Sequence, residues 1–271
     1  MDPPADQPQL RVASLGKTFS RNRKTVHALQ DVSFDVPRGQ FLSILGPSGC
    51  GKSTLLHIIG GFEQASSGSL LLDGRPVAGP GRDRGMMFQQ ATLFPWKTIE
   101  SNVAWPFIVD GHKRGEARER AHELLATVGL SGFERSYPAE LSGGMRQRAA
   151  LARTLGLSPD ILLMDEPFGA LDAQTRELMQ EELTRIWEHS GLTVIFITHD
   201  IDEAVFLGDR VLVMGARPGR IIADVDVELG RPRGTTTKKD PQMAEYHSHF
   251  WELIRQEAGP QADRNGGSDR S

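Results

Sequence analysis

A glycine-rich run in the first quarter of the chain has the composition of a phosphate-binding loop. Residues 46–54 read GPSGCGKST and match the pattern GxxxxGK[ST], between a short apolar run and a run typical of a helix. Glycines let successive N–H groups point at phosphate oxygens, and a helix N-terminus adds partial positive charge. A glycine-rich turn without a ligand would not need the whole motif. The loop is therefore expected to bind ATP through Gly46, Pro47, Ser48, Gly49, Cys50, Gly51, Lys52, Ser53 and Thr54.

Two consecutive carboxylates end a second apolar run. Residues 161–166 read ILLMDE, and a packed core would not tolerate Asp165 and Glu166 without a cation or hydrogen-bond donors. We expect Lys52 to bridge the β- and γ-phosphates, and Ser53 and Asp165 to hold Mg²⁺. Glu166 is placed to activate the attacking water as a general base. The alternative is a pair of helix-capping acids before Pro167.

A second run could also bind an anion. Residues 141–145 read LSGGM and open a helix-like stretch, so Ser142, Gly143 and Gly144 combine a hydroxyl, a flexible backbone and a helix N-terminus. One nucleotide does not need two such sites on one chain. This run, followed by RQRAALAR, resembles the signature motif of ABC ATPases. In that family the motif closes on the nucleotide of the opposite subunit, so the resemblance implies a head-to-tail dimer.

Further residues match the family in the expected order over about residues 10–230. Gln89 resembles the Q-loop glutamine, which touches Mg²⁺ and water; Asp172 resembles the D-loop residue at the dimer interface. His199 resembles the H-loop histidine that reaches the γ-phosphate. Phe19 stands where the family places an aromatic ring that stacks on adenine, often a tyrosine. The resemblance assigns catalysis to Lys52, Gln89, Glu166 and His199.

A narrower resemblance points to a group of importers. Residues 87–96, Met145 and residues 216–221 (ARPGRI) look like the nitrate/sulfonate/taurine group. This implies a motor subunit at the cytoplasmic face of a bacterial inner membrane, peripheral to it. Its partners would be a second copy or a sister ATPase, permease subunits and, indirectly, a solute-binding protein. The apolar residues 93–96 would then receive the permease rather than fill a core.

The apolar pattern around these motifs predicts an α/β fold. Short apolar runs at 41–45, 161–164, 193–198 and 211–214 alternate with helical stretches at 53–59 and 174–190, which indicates a mainly parallel sheet in a P-loop NTPase core. Strands at 10–19 and 27–36, joined by a turn at 20–25, indicate an N-terminal antiparallel β subdomain. Helices at 116–128 and 145–157 indicate an inserted helical subdomain over about 97–157.

The two ends of the chain differ from the ATPase domain, which we place at residues 10–230. Residues 1–9 are expected to be loose. Residues 231–271 form a short extension, with an amphipathic helix at 243–258 and a disordered end. His247 and His249 stand two apart, which does not favour a shared metal site on a helix.

Composition narrows the class of protein. The net charge of −4 argues against nucleic-acid binding, and the longest apolar runs are too short to span a bilayer. The single cysteine, Cys50, excludes an internal disulfide; it is either a reactive thiolate near Lys52 or a small space-filler.

Two alternative functions are that of a soluble ABC ATPase outside transport and that of a P-loop kinase. The first usually has two cassettes or inserted coiled coils, and the second would not need a signature motif.

Overall fold

A computed structural model describes residues 7–21 and 24–258. Its ten strands form two sheets. In chain order the strands are β1 (Leu10–Arg21), β2 (Lys24–Val36), β3 (Phe41–Leu45), β4 (Ser67–Leu72), β5 (Arg75–Pro76), β6 (Arg84–Met87), β7 (Ile161–Asp165), β8 (Thr193–Thr198), β9 (Arg210–Gly215) and β10 (Arg220–Asp226). The helices are α1 (Lys52–Ile59), α2 (Ile99–Val109), α3 (Arg114–Thr127), α4 (Gly143–Leu155), α5 (Ala173–Ser190), α6 (Ile201–Leu207) and α7 (Pro241–Ala258).

The six-stranded sheet has the order β10-β9-β3-β8-β7-β6, and only its edge strand β10 is antiparallel. Leu45 pairs with Thr198, and Asp165 pairs with Ile197. The carboxyl ends of β3, β7 and β8 therefore lie side by side. In an open parallel sheet this edge is where ligands bind.

Both faces of this sheet are covered. In β7, Leu162 and Met164 pack into one core cluster, while Ile161 and Leu163 pack into the other. A strand that is buried on both faces reads as a continuous apolar run, which explains why β3, β7 and β8 carry no polar alternation. The α/β architecture predicted from the sequence is confirmed.

A four-stranded antiparallel sheet with the order β2-β1-β4-β5 packs beside the core. Its hairpin is tighter than expected, because β1 continues to Arg21 and β2 resumes at Lys24, where a turn was placed over 20–25. The sequence pattern does not indicate β4, β5, β6 or β10. These strands are short or exposed, and β4 and β10 carry few fully buried positions.

Three α-helices, with a short 3₁₀ helix before the third, occupy the stretch between Ile99 and Leu155, where the helical subdomain is expected. The helix α2 was not foreseen, because apolar residues surround it on most sides and give no amphipathic period. α4 begins at Gly143, two residues earlier than expected, since Ser142 caps it through the N–H of Met145 at 3.3 Å.

The segment after Gly230 folds back onto the sheet domain. α7 forms as expected, and it buries Met243 and Phe250 against the core with Tyr246, Leu253 and Ile254 beside them. Before it, Lys238 and Lys239 lie in a 3₁₀ turn. The expectations for residues 1–6 and 259–271 fall outside the described residues. Among the described helices, none combines the length and apolarity required to cross a membrane.

Candidate nucleotide site

The glycine-rich loop joins β3 to α1. Gly49 and Gly51 have φ values of 77° and 103°, a region that favours glycine. At Gly46, an added Cβ would lie 2.6 Å from the carbonyl oxygen of Met214. The loop can therefore wrap closely only with these glycines, and its curl leaves the N-terminus of α1 facing the cavity.

Lys52 is buried beneath this loop. Its Nζ donates to the carbonyl oxygens of Gly46 at 2.7 Å and Pro47 at 3.1 Å. It also lies 3.6 Å from Oε1 of Glu166, which forms an ion pair with it. The ammonium is thus held between the loop and the end of β7, at the place where a phosphate would need a positive charge.

The two carboxylates have different surroundings. Asp165 accepts a hydrogen bond from Oγ of Ser53 at 3.1 Å, and burial raises its pKa because desolvation outweighs that bond. Glu166 has a φ of 43°, unusual for a residue other than glycine, and its N–H donates to the carbonyl of Ile197 at 3.0 Å. Nδ1 of His199 lies 3.1 Å from Oε2 of Glu166.

The geometry fits a magnesium ion held jointly with phosphate. Magnesium is usually bound through one or two protein oxygens while phosphate and water complete its shell. Ser53 and Asp165 present an adjacent hydroxyl and carboxylate, and a cation there would offset the burial that raises the pKa of Asp165. No group of three or more possible metal-binding side chains exists among the described residues. His247, for instance, pairs with Asp202 at 2.8 Å.

A cavity of about 750 Å³ lies above these groups. It brings together Lys52, Ser53, Thr54, Gln89, Asp165 and Glu166 with Ser48, Gly49 and Gly51, and it is also lined by Thr25, Val26, His27, Ala28, Arg217 and Pro218. The last six residues were missed by the site prediction. In the sequence, residues 216–221 stand out only as a family pattern, and residues 25–28 fall at the end of the predicted turn and the start of the predicted strand.

Phe19 is not among the residues that line this cavity. It pairs with Val26 across the β1–β2 hairpin, and its ring lies 4.8 Å from Nζ of Lys17. On the side of the cavity nearest this hairpin, the lining residues come from β2. Adenine stacking on Phe19 stays a prediction.

Cys50 points away from the cavity. Its side chain is 1% exposed and belongs to the apolar core cluster behind the loop. Burial raises the pKa of the thiol, and the opposing effect of Lys52 is smaller. The structure thus favours the space-filling interpretation over the reactive thiolate.

The structure does not bring the residues of the second anion-binding run to the cavity. Ser142 and Gly143 are exposed at the start of α4, and Gly144 packs so closely on α5 that a Cβ would lie 2.2 Å from Thr175. Asp172 is exposed and caps α5, accepting the N–H of Thr175 at 3.0 Å. This bond and others from the first turn lower the pKa of Asp172.

An aromatic patch lies beyond Gln89. Trp96 is 73% exposed, and its ring lies 5.8 Å from that of Phe94, which in turn lies 5.7 Å from Trp105. Leu93, by contrast, is buried in the core. We call Phe94, Trp96 and Trp105 the aromatic patch.

The loop, the strand-end carboxylates and the sheet order define a P-loop NTPase. A family model described as ABC transporter matches residues 29–169. The chain is 54% identical over 240 residues to the taurine import ATP-binding protein TauB of Rhizobium johnstonii, covering 87% of this chain and 92% of that protein. The chain belongs to the ABC transporter family, as an ATP-hydrolysing subunit.

Other relatives support the same family assignment. An ABC transporter ATP-binding protein of Methanocaldococcus jannaschii, MJ0412, is 48% identical and covers 92% of each chain. The aliphatic sulfonates import ATP-binding protein SsuB of Bacillus cereus is 44% identical, with 84% of this chain and 89% of that protein covered. Among solved structures, the cassette MJ0796, dimeric and bound to ADP and Pi, matches with a TM-score of 0.73 at 34% identity, covering 81% of this chain and 99% of that one.

Proposed function

We propose that this chain is the motor of an ABC importer, in which two copies enclose two ATP molecules. Each ATP would lie between the cavity of one copy and Ser142, Gly143 and Gly144 of the other. This proposal rests on one observation: the two predicted phosphate-binding parts of the chain lie at separate places on its surface. Lys52 and Glu166 line one cavity and His199 contacts Glu166, whereas Ser142, which caps the N-terminus of α4, is exposed and does not line that cavity.

In the proposed reaction, Glu166 takes a proton from water as the water oxygen attacks the γ-phosphorus. The bond from that phosphorus to the bridging oxygen breaks, and ADP leaves. Lys52 exchanges its two loop carbonyls for phosphate oxygens and stabilises the spreading charge. His199, whose Nδ1 lies 3.1 Å from Oε2 of Glu166, would contact the γ-phosphate. Mg²⁺, bound by Ser53, Asp165 and Gln89, would neutralise phosphate charge.

The other predicted site residues would contact partner chains. Asp172 would face the second chain, and the second chain could be an identical copy or a sister ATPase. Gln89, which lines the cavity, accepts a hydrogen bond from Gln147 at its carbonyl at 2.9 Å. It lies close in sequence to the aromatic patch, which would receive a permease subunit. This arrangement would place the chain at the cytoplasmic face of the membrane, peripheral to it.

The names of the relatives favour a small sulfonate or taurine-like solute, delivered to the permease by a solute-binding protein. The competing function is that of a soluble ABC ATPase outside transport. Co-purification of the tagged chain with a polytopic membrane protein separates the two, since the competing function predicts none.

Mixed dimers test the composite site. Ser142→Arg and Lys52→Ala should each abolish turnover alone, because each variant damages both sites of its own dimer. In a mixed dimer one site carries both lesions and the other carries none, so activity should reappear. A mixture as inactive as its parents, although mixed dimers are shown to form by dual-tag pull-down, would contradict the proposal. Ser142→Arg should leave ATP binding by the single chain nearly unaltered.

A further inference from the structure

Glu203 is a buried carboxylate that the reaction described above does not use. It lies in the first turn of α6, four residues after His199, and its side chain is 7% exposed. Burial raises its pKa, since desolvation outweighs its hydrogen bonds. It is not needed as a helix cap, because Oδ1 of Asp200 already accepts the N–H of Glu203 at 3.1 Å. A buried carboxylate without a task would cost free energy.

One oxygen of Glu203 controls the hydroxyl next to His199. Oγ1 of Thr198 donates to Oε2 of Glu203 at 2.7 Å and accepts the N–H of Asp200 at 3.0 Å. An ionised carboxylate only accepts, so it directs the hydroxyl proton of Thr198 and leaves the lone pairs for Asp200. The residues on both sides of His199 are therefore held through one hydroxyl that Glu203 orients.

The other oxygen of Glu203 is linked to the segment that includes Asp172. Nε of Arg176 lies 3.8 Å from Oε1 of Glu203, and Nη2 of Arg176 donates to the carbonyl of Leu171 at 3.0 Å. Gln180 also donates to Oε1, at 3.3 Å. A chain of contacts thus runs from Leu171 through Arg176 and Glu203 to Thr198, beside His199.

We propose that Glu203 is a positioning residue that fixes the main chain on both sides of His199, with Arg176 tying it to Leu171. The inference rests on the proposed role of His199 in hydrolysis. Docking of a second chain on Asp172 would then set the position of His199 through Arg176 and Glu203. The side chain of Glu203 itself does not touch the nucleotide cavity, whose lining does not include it.

Steady-state ATP hydrolysis by the purified full chain tests the positioning role through Thr198. Thr198→Val removes the hydroxyl and should lower kcat about tenfold or more, as loss of a supporting contact commonly does, with the KM for ATP changed less than about threefold. Thr198→Ser keeps the hydroxyl and should restore kcat to within about twofold of the parent. Thr184→Val is the matched control: Thr184 is equally buried, and its hydroxyl donates to the carbonyl of Gln180 at 2.9 Å. It should lose stability but keep kcat.

His199→Ala separates the two proposals. Full activity of His199→Ala would remove the proposed role of His199 and this inference with it. Loss of activity in His199→Ala together with a kcat for Thr198→Val within about twofold of Thr184→Val would remove this inference alone. Adding Thr198→Val to His199→Ala should cost nothing further, because both changes act at one histidine.

A second variant decides the matter if Thr198→Val does not fold. Glu203→Gln keeps the volume of the side chain and removes the charge that faces Arg176. It should lower kcat at least about threefold, and Arg176→Met added to it should have no further effect beyond about twofold. An unchanged kcat in folded Glu203→Gln would overturn the proposal, and additive losses would remove the link to Leu171.

Discussion

Arg233 joins the C-terminal segment to the ATPase domain through a buried guanidinium. Its side chain is 1% exposed. Nη1 donates to the carbonyls of Val205, Phe206 and Gly208 at 3.0, 3.1 and 2.7 Å. Nη2 donates to the carbonyls of Val227 and Leu229 at 3.5 and 3.1 Å. One side chain therefore caps the end of α6 and fixes the segment after β10.

These carbonyls have few other partners. Val205 would accept from the N–H of Asp209 if α6 continued, but that N–H donates to the carbonyl of Phe41 at 2.8 Å. Burial lowers the pKa of Arg233 to about 10, with Arg231 as a second cause, so the guanidinium is still protonated at neutral pH. Its charge is compensated by these carbonyl dipoles and by Asp209, whose Oδ1 lies 3.8 Å from Nη2.

Arg233→Met should destabilise the chain by about 3–5 kcal/mol, because it leaves several buried carbonyl oxygens without a donor, at about 1–3 kcal/mol each before the segment relaxes. A change of 1 kcal/mol shifts Tm by about 2–4 °C in a domain of this size, so Tm should fall by about 6–20 °C. Urea unfolding followed by circular dichroism measures the free energy of unfolding directly. The free energy of unfolding of Arg233→Lys should lie between those of the parent and Arg233→Met, because one ammonium cannot reach both groups of carbonyls.

Arg220→Met is the matched control. Arg220 also comes from this end of the chain and pairs with Glu257 at 2.8 Å, but it is exposed, and such pairs contribute about 0–1 kcal/mol. If Arg233→Met unfolds within about 1 kcal/mol of the parent and of Arg220→Met, the guanidinium does not anchor the segment.

Substitution or labelling of Glu166, Cys50 and Trp96 should give three further measurable results. Glu166→Gln should keep ATP binding but slow hydrolysis about 10²–10⁴-fold, so a dimer should accumulate with ATP in gel filtration; elution as monomer alone would count against the base role or against dimerisation of the isolated subunit. Maleimide should label Cys50 more slowly in the native chain than after unfolding in urea, and Cys50→Ser should keep most activity; equal rates would disprove the burial argument. Trp96→Ala should leave ATP hydrolysis by the isolated chain unchanged but weaken co-purification with the permease, whereas Trp251→Ala, at another exposed tryptophan, should change neither property.

The phosphate-loop side of the candidate site could be predicted, because its residues lie at or shortly after strand ends. Lys52, Asp165 and His199 each follow an apolar run, and parallel strands carry whatever follows them to one edge of the sheet. Knowing that the strands are parallel was enough to group these residues, without knowing their order. The register places these strand ends side by side, since Leu45 pairs with Thr198 and Asp165 with Ile197.

The nucleoside side of the cavity could not be predicted in the same way. Val26 and Arg217 reach the cavity from two hairpins, and hairpin position depends on pairing between distant segments. Gly219, for example, donates to the carbonyl of Ala28 at 3.0 Å, and a Cβ on it would lie 2.1 Å from the carbonyl of Cys50. The direction of the Cys50 side chain likewise depends on the core behind the loop, which no local pattern encodes.

In the single chain, contacts within the chain hold one half of the proposed site, and the other half is exposed. The backbone of Glu166 is held in a left-handed conformation by its bond to Ile197, and its carboxylate is held by Lys52 and His199. Ser142 and Asp172, by contrast, satisfy only the first turns of their own helices and remain open to a second chain. Because the carboxylate of Glu166, the proposed base, is already held in the single chain, dimerisation would supply charge stabilisation from the opposite helix N-terminus and, through Asp172, the position of His199. Hydrolysis would then be limited by closure of the dimer, and a chain that binds ATP alone would hydrolyse it slowly.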